Sequence, residues 1–169
     1  MKVSIPTENG VLAAEYSKQA APDQQYKGHP IMSFPIEITA VPAETQTLAF
    51  AFYDHDAIPV GGFTWIHWIA ANLPAETTTI PANASQTGVV PMVQGNNSTA
   101  GKYTGETDLK VTQHYVGPYP PNKDHEYTFT LYALDTTLPL KPGYWLNNFY
   151  KVSAGHILAT AETTVIGKK

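Results

Sequence analysis

The sequence predicts a mainly β protein: an antiparallel β-sandwich with a short helical segment near the C-terminus. Three runs, Leu48–Tyr53, Phe63–Ala71 and Tyr127–Leu134, are apolar at nearly every position and stop at turn formers. Runs of that length and bounding read as strands buried on both faces. Composition agrees, with 43% hydrophobic and only 14% charged residues, against about 25% charged in an average soluble domain. Thr, Asn, Gln, Pro and Tyr fill the difference, a mix that favours strands and turns. The only helical stripe is Trp145, Phe149 and Val152, at i, i+4 and i+7. A chain of 169 residues reads as a single domain spanning 1–169, long enough to bury roughly 70% of its unfolded surface.

Residues 1–30 alternate short apolar pieces with turn formers, as in Gly10-Val11-Leu12 and Gly28-His29-Pro30. Ile31–Ile38 reads as a short strand interrupted by Pro35, which points to a sheet edge. Leu48–Tyr53 reads as a central strand. Period two places Trp65, His67 and Ile69 on one face of the next strand, and His125, Tyr127 and Phe129 on one face of a later one. Between Ile80 and Val116 the chain is rich in Gly, Asn and Thr, and reads as a long surface excursion of the kind that often carries function. Gly155 can end the C-terminal helix, after which Ile157–Ile166 resumes a strand rhythm.

The charges exclude several classes of function. Net charge is −4, and all 10 basic residues are Lys, with no Arg. Without bidentate forks or a basic cluster, nucleic acid is not an expected partner. Cysteine is absent, which removes disulfides, thiolate metal sites and thiol catalysis. The opening residues MKVSIPTENG lack the apolar core of a signal peptide, and no run approaches membrane-spanning length. A cytoplasmic setting without membrane insertion is expected.

Titratable groups recur beside the apolar runs: Asp54-His55-Asp56, then His67, then His125-Glu126-Tyr127 shortly after Gly117-Pro118-Tyr119-Pro120-Pro121. Acids and imidazoles next to buried strands are costly unless they find partners, so the economical arrangement gathers them into one small polar pocket. His29, His55, His114 and His156 read as ordinary histidines outside it. No HExxH or other spaced ligand set argues for a metal, and no cofactor motif is present. No Gly-x-Ser-x-Gly elbow supplies a hydrolase nucleophile. A His/Asp pocket retains acid–base capacity, so a weak hydrolase stays as an alternative.

In order along the chain, Asp54, Asp56 and Ala57, then His67-Trp68, then Gly117–Pro121, His125 and Tyr127, Tyr132-Ala133-Leu134-Asp135 and Gly155–Ala159 resemble the motifs of the phosphatidylethanolamine-binding protein family. The likeness is to its bacterial Raf-kinase-inhibitor-like branch. It implies a β-sandwich with a preformed anion pocket at one end of the strands. Carried over residue by residue, the pocket is lined by Asp54, Asp56, His67, His125 and Tyr127, with the Tyr119 backbone N–H aimed inward by the loop of Gly117, Pro118, Pro120 and Pro121. The implied ligand is a small anion: phosphate, phosphoethanolamine or a carboxylate. In this reading both Asp pair with the imidazoles, raise their pKa values and keep them cationic. The resemblance also allows an inhibitor acting on a kinase or other enzyme through the pocket rim and the 80–116 segment, and a homodimer. Three positions depart from the family pattern. Ile58 lengthens the Asp-Ala-Pro turn, Tyr119 replaces a small residue at the pocket mouth, and Glu126 stands where Arg is common.

Overall fold

The computed structural model describes residues 1–169. In chain order the strands are β1 (Lys2–Ser4), β2 (Gln25–Tyr26), β3 (His29–Pro30), β4 (Ile36–Thr39), β5 (Thr47–Asp54), β6 (Trp65–Pro74), β7 (Thr79–Ile80), β8 (Val93–Gln94), β9 (His125–Leu134) and β10 (Ile157–Gly167). The α-helices are α1 (Ile58–Gly61), α2 (Ala84–Thr87), α3 (Leu109–Thr112) and α4 (Leu146–Ser153). An antiparallel five-stranded sheet, ordered β10-β9-β5-β6-β8, packs against a three-stranded sheet, β1-β4-β7. No helix is long and apolar enough to cross a membrane.

Strand β5 lies in the middle of the larger sheet, and all its residues are buried. Its pleat sends Leu48, Phe50 and Phe52 into the core between the sheets, where they meet Ile36, Ile38, Ile80, Trp68 and Phe129. Ala49, Ala51 and Tyr53 belong to a second cluster with Phe149 of α4, on the opposite face. Fully burying a large apolar side chain contributes roughly 1.5–3 kcal/mol, so the inter-sheet core dominates stability. Helix α4 is the one read from the stripe: Phe149 is buried, Trp145 is its N-cap, and Gly155 follows its C-cap with φ of 83°.

Three sequence expectations are corrected. Strand β4 is the middle strand of its sheet, not an edge. Pro35 lies just before its first residue, so the missing N–H falls outside the ladder and restricts nothing. The 80–116 segment is not a surface excursion. Ala84, Ser85, Asn97, Val111 and Tyr115 are buried within it, and Val93–Gln94 is a strand of the main sheet. Its polar residues bond one another inside the fold. Gln94 Oε1 accepts from Ser85 Oγ and from Trp68 Nε1, both at 2.7 Å. Asn97 Nδ2 donates to the carbonyls of Val111 (2.6 Å) and His114 (2.8 Å).

The third correction concerns β6. Phe52 pairs with Trp68 but Tyr53 pairs with Ile66, so His67 is the extra residue of a β-bulge. A bulge resets the alternation of side chains. Ile69 therefore packs in the cluster on the α4 side, while the His67 ring lies 5.8 Å from Phe52 and 5.1 Å from Tyr127, centroid to centroid, toward the inter-sheet side.

Candidate functional site

Strand register assembles the site. Asp54, the last residue of β5, is paired with Trp65 of β6 on one side and Tyr127 of β9 on the other. His125 begins β9, two residues before Tyr127 and on the same face. The proline loop approaches from the side: Val116 N–H donates to the His67 carbonyl (3.1 Å) and Gly117 N–H to the Pro30 carbonyl (2.8 Å). At Gly117 a Cβ would collide with the Tyr16 carbonyl oxygen, so close backbone approach requires glycine there. The result is a cavity of ≈ 390 Å³ walled by Asp54, His67, Gly117, Tyr119, Pro121, His125 and Tyr127, among others.

Asp54 has two jobs. Its Oδ1 accepts the Ala57 N–H at 3.1 Å, and its Oδ2 accepts from His125 Nδ1 at 2.7 Å. The first bond fixes the turn after β5. There the additional Ile58 is absorbed by α1, a single helical turn with Pro59 at its start and Gly62 (φ 84°) at its end. The second fixes the imidazole. His125 Nε2 lies 2.7 Å from Asn122 Oδ1, which also accepts the Lys123 N–H at 3.0 Å. Both ring nitrogens thus face side-chain oxygens.

His67 differs from expectation. Its Nδ1 donates to the Val116 carbonyl at 2.7 Å, not to an Asp. Burial pushes its pKa down to about 4, against weaker upward effects from the Val116 carbonyl and Asp54. The ring is neutral near pH 7, with its proton on Nδ1 and Nε2 left as an acceptor. Burial, followed by the Asp54 charge, pushes the Tyr127 hydroxyl well above its ordinary pKa, with partial offset from the Tyr119 backbone N–H. Tyr127 therefore remains a hydrogen-bond donor throughout the physiological range.

Asp56 is not a wall of the cavity. Its Oδ2 accepts the Glu126 N–H at 3.1 Å and its Oδ1 lies 4.0 Å from Lys123 Nζ, so it braces the start of β9 from outside and pairs with neither imidazole. Pro118 and Pro120 are also off the wall. They shape the loop, their carbonyls accepting from Lys18 N–H (2.9 Å) and Lys18 Nζ (2.7 Å).

Sequence reasoning missed His29, Val60, Phe63 and Trp65, which also wall the cavity. His29 arrives on the β2–β3 hairpin, whose two-residue loop Lys27-Gly28 has φ of 51° and 78°, the type I′ geometry. Asp108 anchors that hairpin, accepting from Tyr26 Oη at 2.9 Å and pairing with Lys27 Nζ at 2.8 Å. The Lys-Gly pair was a readable hairpin signal. Nothing in the sequence placed the hairpin against Gly117. No group of three or more His, Cys, Asp or Glu side chains is arranged to hold a metal ion.

Comparison with known proteins accords with this geometry. The family model described as phosphatidylethanolamine-binding protein matches residues 3–167. The chain is 48% identical over 162 residues to YxkA of Bacillus subtilis, with 95% of each chain covered. It is 35% identical over 133 residues to a UPF0098 protein of Methanothermobacter thermautotrophicus, covering 78% of this chain and 79% of the other. A phosphatidylethanolamine-binding protein homolog from Chlamydia trachomatis superposes with a TM-score of 0.76 at 28% identity, over 99% of this chain and 95% of that one. YbcL of E. coli shares the fold, with a TM-score of 0.78 at 24% identity over 99% and 98% of the two chains. With the family model matched nearly end to end, and the motif residues meeting at one end of the strands, this chain belongs to the phosphatidylethanolamine-binding protein family.

Proposed function

We propose that the protein is a non-catalytic binding protein for a small acid, phosphorylated or carboxylated, held at the floor of this cavity. The observation that carries the reading is the Asp54–His125 pair, whose side chains are 5% and 1% exposed yet stand at the wall of an open cavity. A buried ion pair adds little stability over well-packed apolar residues. Its presence beside a cavity is better explained by a ligand.

In this reading the ligand meets donors from three places: the His125 ring, the Tyr127 hydroxyl, and the Tyr119 amide, which would turn to the ligand from the Tyr127 hydroxyl that it faces. Asn122 is exposed, and a ligand oxygen would replace its Oδ1 at His125 Nε2. His67 Nε2 would accept the hydroxyl proton of a singly protonated phosphate, so that form is preferred to the dianion. The Asp54 carboxyl group beside the floor further disfavours a second negative charge on the ligand.

The test is a titration of backbone-amide NMR resonances with phosphate and with acetate. Saturable shifts at Tyr119, His125 and Tyr127, lost in His125→Gln with the remaining spectrum still folded, are expected. Shifts that are absent, or that survive in His125→Gln, contradict the proposal.

A further inference from the structure

Asp54, His125 and Tyr127 are buried at the floor of the cavity, whereas the exposed residues of its wall are apolar or uncharged. Phe63 and Trp65 stack with ring centroids 5.9 Å apart and an interplanar angle of 23°. Phe63 is 49% exposed, Val60 50% and Tyr119 58%, although all of them wall the cavity. Val60 lies in α1, Phe63 in the turn that follows and Trp65 at the start of β6, whereas Tyr119 comes from the proline loop, far away in sequence. Apolar surface is scattered singly on most soluble proteins, but contiguous apolar surface rimming a pocket marks a contact.

No lysine walls the cavity. The nearby Lys18 Nζ is bonded to the Pro120 carbonyl at 2.7 Å, and Lys123 Nζ sits 4.0 Å from Asp56 Oδ1. Lys18 Nζ also lies 5.5 Å from the centroid of the Tyr119 ring, and His29 stands on the wall. The outer part of a ligand therefore meets mainly rings and a valine, with no lysine on the wall itself to receive a second anionic group.

We infer that the physiological ligand is an amphipathic monoanion: an acid head at the Asp54–His125–Tyr127 floor joined to a flat apolar body lying on Phe63, Trp65, Val60 and Tyr119. This inference rests on the binding reading above and adds the chemistry of the remainder of the ligand. The volume of ≈ 390 Å³ is at the small end of the roughly 300–1,000 Å³ range of small-molecule sites, and suits a single ring or short chain beyond the head. The source is a soluble acid, not a lipid headgroup in a membrane. The floor is deeply buried, the chain carries a net charge of −4, and the mouth has no basic cluster to draw it to an anionic surface.

Affinities for inorganic phosphate, phosphoethanolamine and phenyl phosphate, measured by the same amide shifts, test this. Phenyl phosphate should bind about tenfold or more tightly than phosphate, and Phe63→Ala and Trp65→Ala should each lower that ratio toward one. Phe63 is half exposed, so its variant also serves if Trp65→Ala fails to fold. Phosphoethanolamine should gain nothing over phosphate; a gain matching that of phenyl phosphate would mean that the rings receive an ammonium group instead and overturns the inference. Equal binding of phosphate and phenyl phosphate overturns it while leaving the binding reading intact. Failure of every probe removes both. Sedimentation with phosphatidylglycerol vesicles, with no response to phenyl phosphate, overturns the assignment of a soluble acid.

Discussion

Strand β9 carries an Asp–His pair at each end, and the two pairs have nearly the same bond length. At its start His125 Nδ1 donates to Asp54 at 2.7 Å; just past its end His156 Nδ1 donates to Asp135 at 2.8 Å. Side-chain exposure separates them: 1% and 5% for the first pair, 46% and 42% for the second. Water screens the exposed pair, and such pairs contribute about 0–1 kcal/mol. The buried pair is unscreened, so loss of one partner leaves a charge with neither water nor counter-ion. Bond length alone does not distinguish a site from a surface contact; burial beside a cavity does.

The largest effect expected from this contrast is on stability. Asp54→Ala should cost on the order of 3–5 kcal/mol in urea unfolding, whereas His156→Ala should cost less than about 1 kcal/mol. Equal losses would erase the distinction between the two ends of β9.

The next effect is a pH dependence from the third imidazole of the buried end. The His67 pKa is about 4 in the folded protein, against about 6.5 in an unfolded chain. Between those values the unfolded state binds the extra proton, so stability is fully present above about pH 6.5 and falls as pH drops toward 4. The loss is on the order of 3 kcal/mol. Thermal unfolding across that window should show the decline, and His67→Gln should remove that part of the slope. An unchanged slope in the variant would mean that His67 is not held neutral.

Legibility in the sequence followed the same line between residue type and environment. Strands β5, β6 and β9 were readable because a run apolar at nearly every position has few other places to go. The pairing of Asp54 with His125 was also within reach of the motif order. What could not be read depended on non-local partners. The acceptor that fixes the His67 tautomer is a carbonyl 49 residues away, and the bulge that turns this ring inward is a matter of register with β5. The 80–116 segment looked solvated because its Asn, Ser and Gln are polar, yet those side chains satisfy one another internally. Asp56 and Asp54 are two residues apart and alike in type, yet Asp54 ends β5 at the cavity whereas Asp56 lies in the turn beyond it and bonds the Glu126 amide outside.

A smaller effect sharpens the account of the buried end. Asn122 Oδ1 occupies the His125 nitrogen that a ligand would use. Asn122→Ala should tighten phosphate binding severalfold, on the order of 1 kcal/mol or less, as read by calorimetric titration. Weaker binding would mean that Asn122 holds the ring for the ligand and does not compete with it.

The most direct measurement follows the ring nitrogens of isotope-labelled histidines by NMR while phosphate is added, at about pH 6.5, where a histidine ring is sensitive to its surroundings. His156 serves as the internal control. The account predicts saturable movement of the His125 ring with the His156 ring unmoved. A still His125 ring, or equal drift of both rings with rising salt, would contradict it.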